Sequence, residues 1–192
     1  MQFDAQGWCQ QARSVPSPNT DARSEGTPVD MVVIHNIHLP PGQPFGGDDI
    51  ERLFTNTLDI NKHSEYAALS QLRVSAHFLI RRNGELLQFV PCSQRAWHAG
   101  VSSWQGREGC NDFSIGIELE GSDFTPFEVI QYAVLNNLLE ALLRAYPIKH
   151  LLGHSQIAPG RKTDPGPFFD WAYVALPQAL SEKSAALQKP AL

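Results

Sequence analysis

The chain has 192 residues, 42% of them apolar and 18% charged, which suits one folded domain and excludes disorder over most of its length. A net charge of −5 argues against general binding to nucleic acid or to anionic membranes, because both need a basic face. Three cysteines without CxxC spacing argue against a disulfide framework or a cysteine zinc site, and free thiols fit a reducing compartment.

Residues 1–8 carry neither a basic segment nor an apolar core, so no secretory signal is read there. No apolar run reaches the length of a membrane span, which makes the cytoplasm the expected location. Residues 12–29 hold Pro16, Pro18, Gly26 and Pro28 among polar side chains and read as an extended lead-in. Residues 29–34 form a short β-branched run, consistent with a buried strand that stops at His35. Residues 40–47 are rich in Pro and Gly and must be a loop. Asp48 or Asp49 is placed to cap a short helix through about Thr55, with Ile50, Leu53 and Phe54 on one face. Residues 57–73 are ambiguous, with room for a helical turn or two over 66–72.

Residues 75–81 and 86–90 flank Arg82-Asn83-Gly84-Glu85, and the Asn-Gly step predicts a hairpin because both residues tolerate positive φ. Residues 114–120 alternate in type. Period two puts Ser114, Gly116, Glu118 and Glu120 on one face and Ile115, Ile117 and Leu119 on the other. Gly116 leaves room for something bulky over the first face. Thr125-Pro126-Phe127-Glu128 reads as a capping box that opens the longest helix, ending near Pro147. Phe127, Ile130, Val134, Leu138, Ala141 and Leu142 recur at helical spacing and are expected to face the core. Residues 150–153 suggest a short strand, residues 170–180 a terminal helix, and residues 181–192 a frayed end. Interspersed strands and helices with one hairpin predict an α/β (α+β) fold, a central mixed sheet flanked by helices. One domain over residues 1–192 is expected, with its core at about 29–176.

The chemistry concentrates near the C-terminus. Gly153-His154-Ser155-Gln156-Ile157-Ala158-Pro159-Gly160-Arg161-Lys162-Thr163-Asp164-Pro165 puts an imidazole, an ammonium and a carboxylate into a short stiff loop. With His35 at a strand end, His154 and Asp164 suggest a His/His/Asp zinc site with an open position, which suits catalytic rather than structural zinc. Two neutral imidazoles and one carboxylate leave such a site at net charge +1, so it stays electrophilic. Glu118 and Glu120 are the candidate proton acceptors, and Glu118 lies deeper, where desolvation raises its pKa toward a useful value. Lys162 is placed to stabilise an oxyanion. His77 reads as a core or supporting histidine, and His63 and His150 as exposed. Trp97 and His98 can stack on a sugar or peptide face, or Trp97 can half-bury as a loop aromatic. Arg107 and Asn111 can grip a peptide's carboxylates or amides, or stabilise their own turn.

Several strings, in order, resemble AmpD-type N-acetylmuramoyl-L-alanine amidases over about residues 7–175. They are Val33-Ile34-His35-Asn36, Arg73-Val74-Ser75-Ala76-His77, Arg95-Ala96-Trp97-His98-Ala99-Gly100, Cys110-Asn111-Asp112-Phe113-Ser114-Ile115-Gly116-Ile117-Glu118 and Arg161-Lys162-Thr163-Asp164-Pro165-Gly166. The resemblance implies the zinc amidase fold shared with peptidoglycan recognition proteins and a phage lysozyme. It implies cleavage, in the cytosol, of the lactyl amide between 1,6-anhydro-N-acetylmuramic acid and L-alanine in recycled wall fragments, which lowers a β-lactamase-inducing signal. By motif it implies His35, His154 and Asp164 as Zn2+ ligands, Glu118 as proton acceptor and Lys162 as transition-state stabiliser. Asn36, Arg73, Trp97, His98, Arg107 and Asn111 are then the candidate contacts to an anhydromuramyl-peptide, with a monomer as the working unit. Tyr66, displaced by one position from the family's His-Pro-Tyr-Phe pattern, and His38, where Ser is usual, depart from that family. A non-catalytic muropeptide-binding module and an envelope murein amidase acting on intact peptidoglycan are the alternatives.

Overall fold

The computed structural model describes residues 1–175. Its frame is a six-stranded mixed sheet. The strands are β1 (Arg13–Ser14), β2 (Met31–Ile37), β3 (Phe78–Ile80), β4 (Leu86–Gln88), β5 (Ser114–Glu120) and β6 (His150–Gly153). Their order across the sheet is β1-β4-β3-β5-β2-β6. β3, β5, β2 and β6 run parallel, while β4 returns antiparallel to β3 and β1 follows β4. This is the expected mixed sheet.

The period-two pattern of β5 decides which face carries the site. Ile115, Ile117 and Leu119 join Val32, Ile34, Phe78 and Ile80 in a core beneath the long helix α2 (Val129–Ala145), which supplies Leu135, Leu138, Leu139 and Leu142. Ser114, Gly116, Glu118 and Glu120 face the other way, yet all seven residues of the strand are buried. On that second face, α1 (Asp49–Phe54) and Tyr66 pack with Leu79, Leu87 and Phe89. Tyr66 is fully buried, and its hydroxyl donates to Asp49 Oδ2 at 2.8 Å, so the displaced tyrosine is a core group under α1.

Two expectations about the longest helix are corrected. The longest helix begins after Glu128, not at Pro126: Gln131 Oε1 accepts from Glu128 N at 3.0 Å, completing a capping box three residues later. Its expected face holds at Phe127, Leu138, Ala141 and Leu142, with Val134 against the core, but differs at residues 130 and 131. Gln131 is fully buried because its amide donates to the carbonyls of Ile80 and Glu120, at 3.1 and 3.0 Å. Ile130, by contrast, is 48% exposed, and with Val134 it lies over the hairpin turn at Gly84. A satisfied buried amide is invisible to a pattern that counts apolar residues.

In that hairpin only Gly84 takes a positive φ, of 85°; Asn83 instead uses its side chain to accept from Glu85 N at 3.0 Å. Residues 64–69 form a short 3-10 helix capped by His63. His150 is half-buried against Trp104 rather than exposed. Only the 3-10 turn Trp171–Tyr173 occurs where a terminal helix is expected; residues 176–180 and the expected frayed end lie outside the described residues.

Candidate metal centre and active site

The site forms at the C-terminal edge of adjacent parallel strands, where α/β folds gather functional groups. His35 lies in β2 and is paired in register with Glu118 of β5, so both side chains leave the same face. Gly153 of β6 pairs with Ile34, which brings His154, the first residue of α3 (His154–Ile157), level with His35. Asp164 arrives from the following loop. Ser155 N donates to the Asp164 carbonyl at 2.9 Å, and a Cβ at Gly153 would stand 2.6 Å from Pro165 Cδ. Only glycine allows so close an approach of strand and loop. Asn36 Nδ2 donates to the carbonyl of Pro165 at 3.1 Å and to Asp123 Oδ1 at 2.7 Å, which ties the same loop to β2.

Three donor atoms converge. His35 Nδ1 lies 3.0 Å from His154 Nδ1 and 2.9 Å from Asp164 Oδ2, and His154 Nδ1 lies 3.0 Å from that oxygen. His154 Nε2 faces the Ala99 carbonyl at 3.0 Å. A carbonyl only accepts, so Nε2 carries the proton and Nδ1 carries a lone pair. Zinc bonds of 2.0–2.2 Å in tetrahedral geometry imply ligand separations of about 3.3 Å, within a few tenths of this triangle. Imidazole and carboxylate donors also suit a borderline cation. Burial pushes the His35 imidazole down to about 4, against the pull of Asp164, so it is neutral at pH 7 and able to ligate.

Glu118 stands beside this triangle at 8% exposure, and its Oε2 has no hydrogen-bond partner. Burial, then the Asp164 charge, push its carboxyl well above the ordinary range, while Lys162 pulls it back. A cleft of about 490 Å³ opens over these residues, lined among others by His35, Glu118, Trp97, Asp164 and Lys162. Lys162 is exposed there, and its backbone N–H donates to the Ala158 carbonyl at 3.1 Å.

The structure thus brings together His35, His154, Asp164, Glu118 and Lys162, with Asn36 and Trp97 on the cleft wall. The other sequence candidates are engaged elsewhere. Arg107 holds Asp30 at 2.8 Å and covers the Phe113 ring. Arg73 donates to the carbonyls of Ser70 and Leu72. Asn111 Oδ1 accepts the backbone N–H groups of His98 and Ala99, at 3.1 and 2.7 Å. His98, by contrast, does line the cleft beside Trp97, and its Nδ1 is 2.9 Å from His35 Nε2. Glu120 accepts from Arg81 and Gly46, so it is a structural anchor and not a second base. Asp123 and Phe124 also line the cleft, although nothing marks them in sequence beyond their place just past the Glu118 strand.

The His/His/Asp cluster beside an unpartnered carboxylate, at the open end of a parallel sheet, could hold a metal ion, a donor set that metal-dependent hydrolases use. The chain belongs to the N-acetylmuramoyl-L-alanine amidase family, which its sequence matches over residues 25–167. It is similar to the 1,6-anhydro-N-acetylmuramyl-L-alanine amidase AmpD of Citrobacter freundii, with 56% identity over 87% of this chain and 90% of that protein. A crystal structure of a selenomethionine AmpD derivative is 55% identical, covers 91% of this chain and 97% of its own, and has a TM-score of 0.88. The Escherichia coli amidase AmiD, solved with anhydro-N-acetylmuramic acid-L-Ala-D-gamma-Glu-L-Lys, is 32% identical with a TM-score of 0.56, over 80% of this chain and 59% of that one.

Proposed function

We infer that this chain hydrolyses the lactyl amide between 1,6-anhydro-N-acetylmuramic acid and L-alanine in muropeptides released during wall recycling, using Zn2+ held by His35, His154 and Asp164. The observation that carries the reading is the convergence of those three donors within about 3 Å beside the unpartnered Glu118 carboxylate. High identity to AmpD over nearly the whole chain supports the anhydromuramyl substrate.

A zinc ion there supplies Lewis acidity toward the scissile carbonyl and toward water. The protein supplies the rest. His35 and His154 present neutral nitrogens, and Asp164 supplies the only negative charge of the ligand set. Glu118 takes the proton from the attacking water through Oε2 and passes it to the leaving nitrogen of L-alanine. A dication held by His35, His154 and Asp164 would offset the Asp164 charge felt by Glu118 and favour its ionised, basic form. Lys162 faces the developing oxyanion as a compact positive charge. Trp97 and Asn36 are proposed as substrate contacts on the cleft wall.

The whole chain is proposed to act as one amidase domain and as a monomer in the cytoplasm. Three buried unpaired cysteines support a reducing setting, and among the described residues no helix is long and apolar enough to cross a membrane. The test is incubation with anhydromuramyl-tripeptide, with and without a chelator, followed by mass spectrometry. Release of free tripeptide that stops with chelator is expected. Intact substrate after zinc loading would favour a binding module.

A further inference from the structure

His35 and His154 differ in what holds their far nitrogens. His154 Nε2 rests on a backbone carbonyl, which fixes its proton directly. His35 Nε2 meets another imidazole, His98 Nδ1, at 2.9 Å, and such a contact leaves open which ring carries the shared proton. If the proton sat on His98 Nδ1, His35 Nε2 would accept, its own proton would move to Nδ1, and the metal-facing lone pair would be lost.

The chain of contacts beyond His98 resolves the choice. Ser114 Oγ lies 2.5 Å from the Cys110 carbonyl. That oxygen only accepts, so the one hydroxyl proton of Ser114 is spent there. Ser114 Oγ also lies 3.1 Å from His98 Nε2 and must accept in that contact. The proton of a neutral His98 is therefore on Nε2, its Nδ1 accepts from His35 Nε2–H, and His35 Nδ1 is left with its lone pair.

The position of His98 is equally constrained. Its ring lies over Gly116, where a Cβ would stand 2.4 Å from His98 Cγ, so the glycine in β5 makes the space for this imidazole. Asn111 Oδ1 grips the N–H groups of His98 and Ala99 together. One dipeptide thus serves both ligands, through the His98 side chain for His35 and the Ala99 carbonyl for His154.

We propose that His98, held by Ser114, Gly116 and Asn111, is a positioning residue that sets the tautomer of His35 and turns its Nδ1 lone pair toward the metal. This rests on the His/His/Asp reading of the site. Partners of this kind are typically worth about 10–100-fold in metal affinity.

The test measures zinc affinity of the full chain by competition with a chromophoric chelator, for wild type, His98→Phe and His98→Asn. His98→Phe keeps a ring but no acceptor and is expected to bind zinc about 10–100-fold more weakly. His98→Asn offers an amide oxygen where Nδ1 stood and is expected to recover most of the loss. Long-range 1H–15N spectra of the zinc-loaded wild type need no variant to fold, and should show His98 protonated at Nε2, with its Nδ1 left to accept from His35. A His98 proton on Nδ1, or His98→Phe with wild-type zinc affinity, overturns the proposal even in a protein that binds zinc. A wild type that takes up no zinc removes the metal reading and the proposal together.

Discussion

Replacing Glu118 by Gln separates the chemistry of this site from its assembly. The amide has the shape of the carboxylate but cannot accept the water proton. General acid–base groups contribute about 10²–10⁴-fold, or roughly 3–5 kcal/mol of transition-state stabilisation at about 1.4 kcal/mol per decade. Glu118 is not one of the three clustered donors, which are His35, His154 and Asp164, so zinc stoichiometry should stay at wild type. Stability should move the other way from activity. The folded carboxyl is held well above its ordinary range, first by burial. Such a group stabilises the fold fully below its unfolded pKa, and that contribution is lost as pH rises through the folded value. In the metal-free protein, Glu118→Gln should therefore raise Tm at pH 8, with a gain that shrinks toward pH 4. The assays are muropeptide cleavage by liquid chromatography, metal analysis, and thermal unfolding across pH. Turnover within tenfold of wild type would remove Glu118 from the proton transfers.

Chelation should abolish cleavage and lower Tm. A ligand at about 1,000 times its Kd adds about 4 kcal/mol, or roughly 8–16 °C for a chain of this size, and added zinc should restore both. Metal-free Glu118→Gln, which lacks the opposing raised carboxyl, should lose stability as pH falls below 6.5. Burial holds His35 down to about 4 and His77 well below its ordinary value, so the unfolded chain binds protons that the folded one refuses. His35 alone accounts for roughly 2 kcal/mol between pH 7 and pH 4.5, and denaturant unfolding of that variant at the two values measures the combined loss. Glu120→Ala removes one of the two carboxylates that pair with buried Arg81, leaving Glu51 at 2.7 Å, and frees the N–H groups of Gly46 and Arg82. A loss of about 1–3 kcal/mol is expected in denaturant unfolding, while a cost under about 0.5 kcal/mol would mean these donors find water.

The three residues of the His/His/Asp cluster were legible because each carries a distinct local mark. His35 ends an apolar strand, His154 follows a Gly after another, and Asp164 sits in a Pro/Gly loop. The face of β5 was legible from period two, and the space left by Gly116 was visible before its occupant was. What fills it was not: His98 is linked to His35 and Ser114 only through the fold, and its position in the chain gives no hint of an interior partner. The core role of Gln131 in α2 escaped for a related reason. Gln131 counts as polar in any periodicity, yet two carbonyls from different strands make it a core residue. Arg107 and Arg73 looked like substrate contacts because a free guanidinium and one committed to Asp30 or to nearby carbonyls read alike in sequence.

X-ray absorption at the zinc edge of the reconstituted chain, paired with anomalous diffraction, tests the centre most directly. One ion bonded to two imidazole nitrogens and one carboxylate oxygen of residues 35, 154 and 164, with a fourth, exchangeable light-atom neighbour, is the result expected. An ion bound elsewhere, or one enclosed entirely by protein donors, would contradict it.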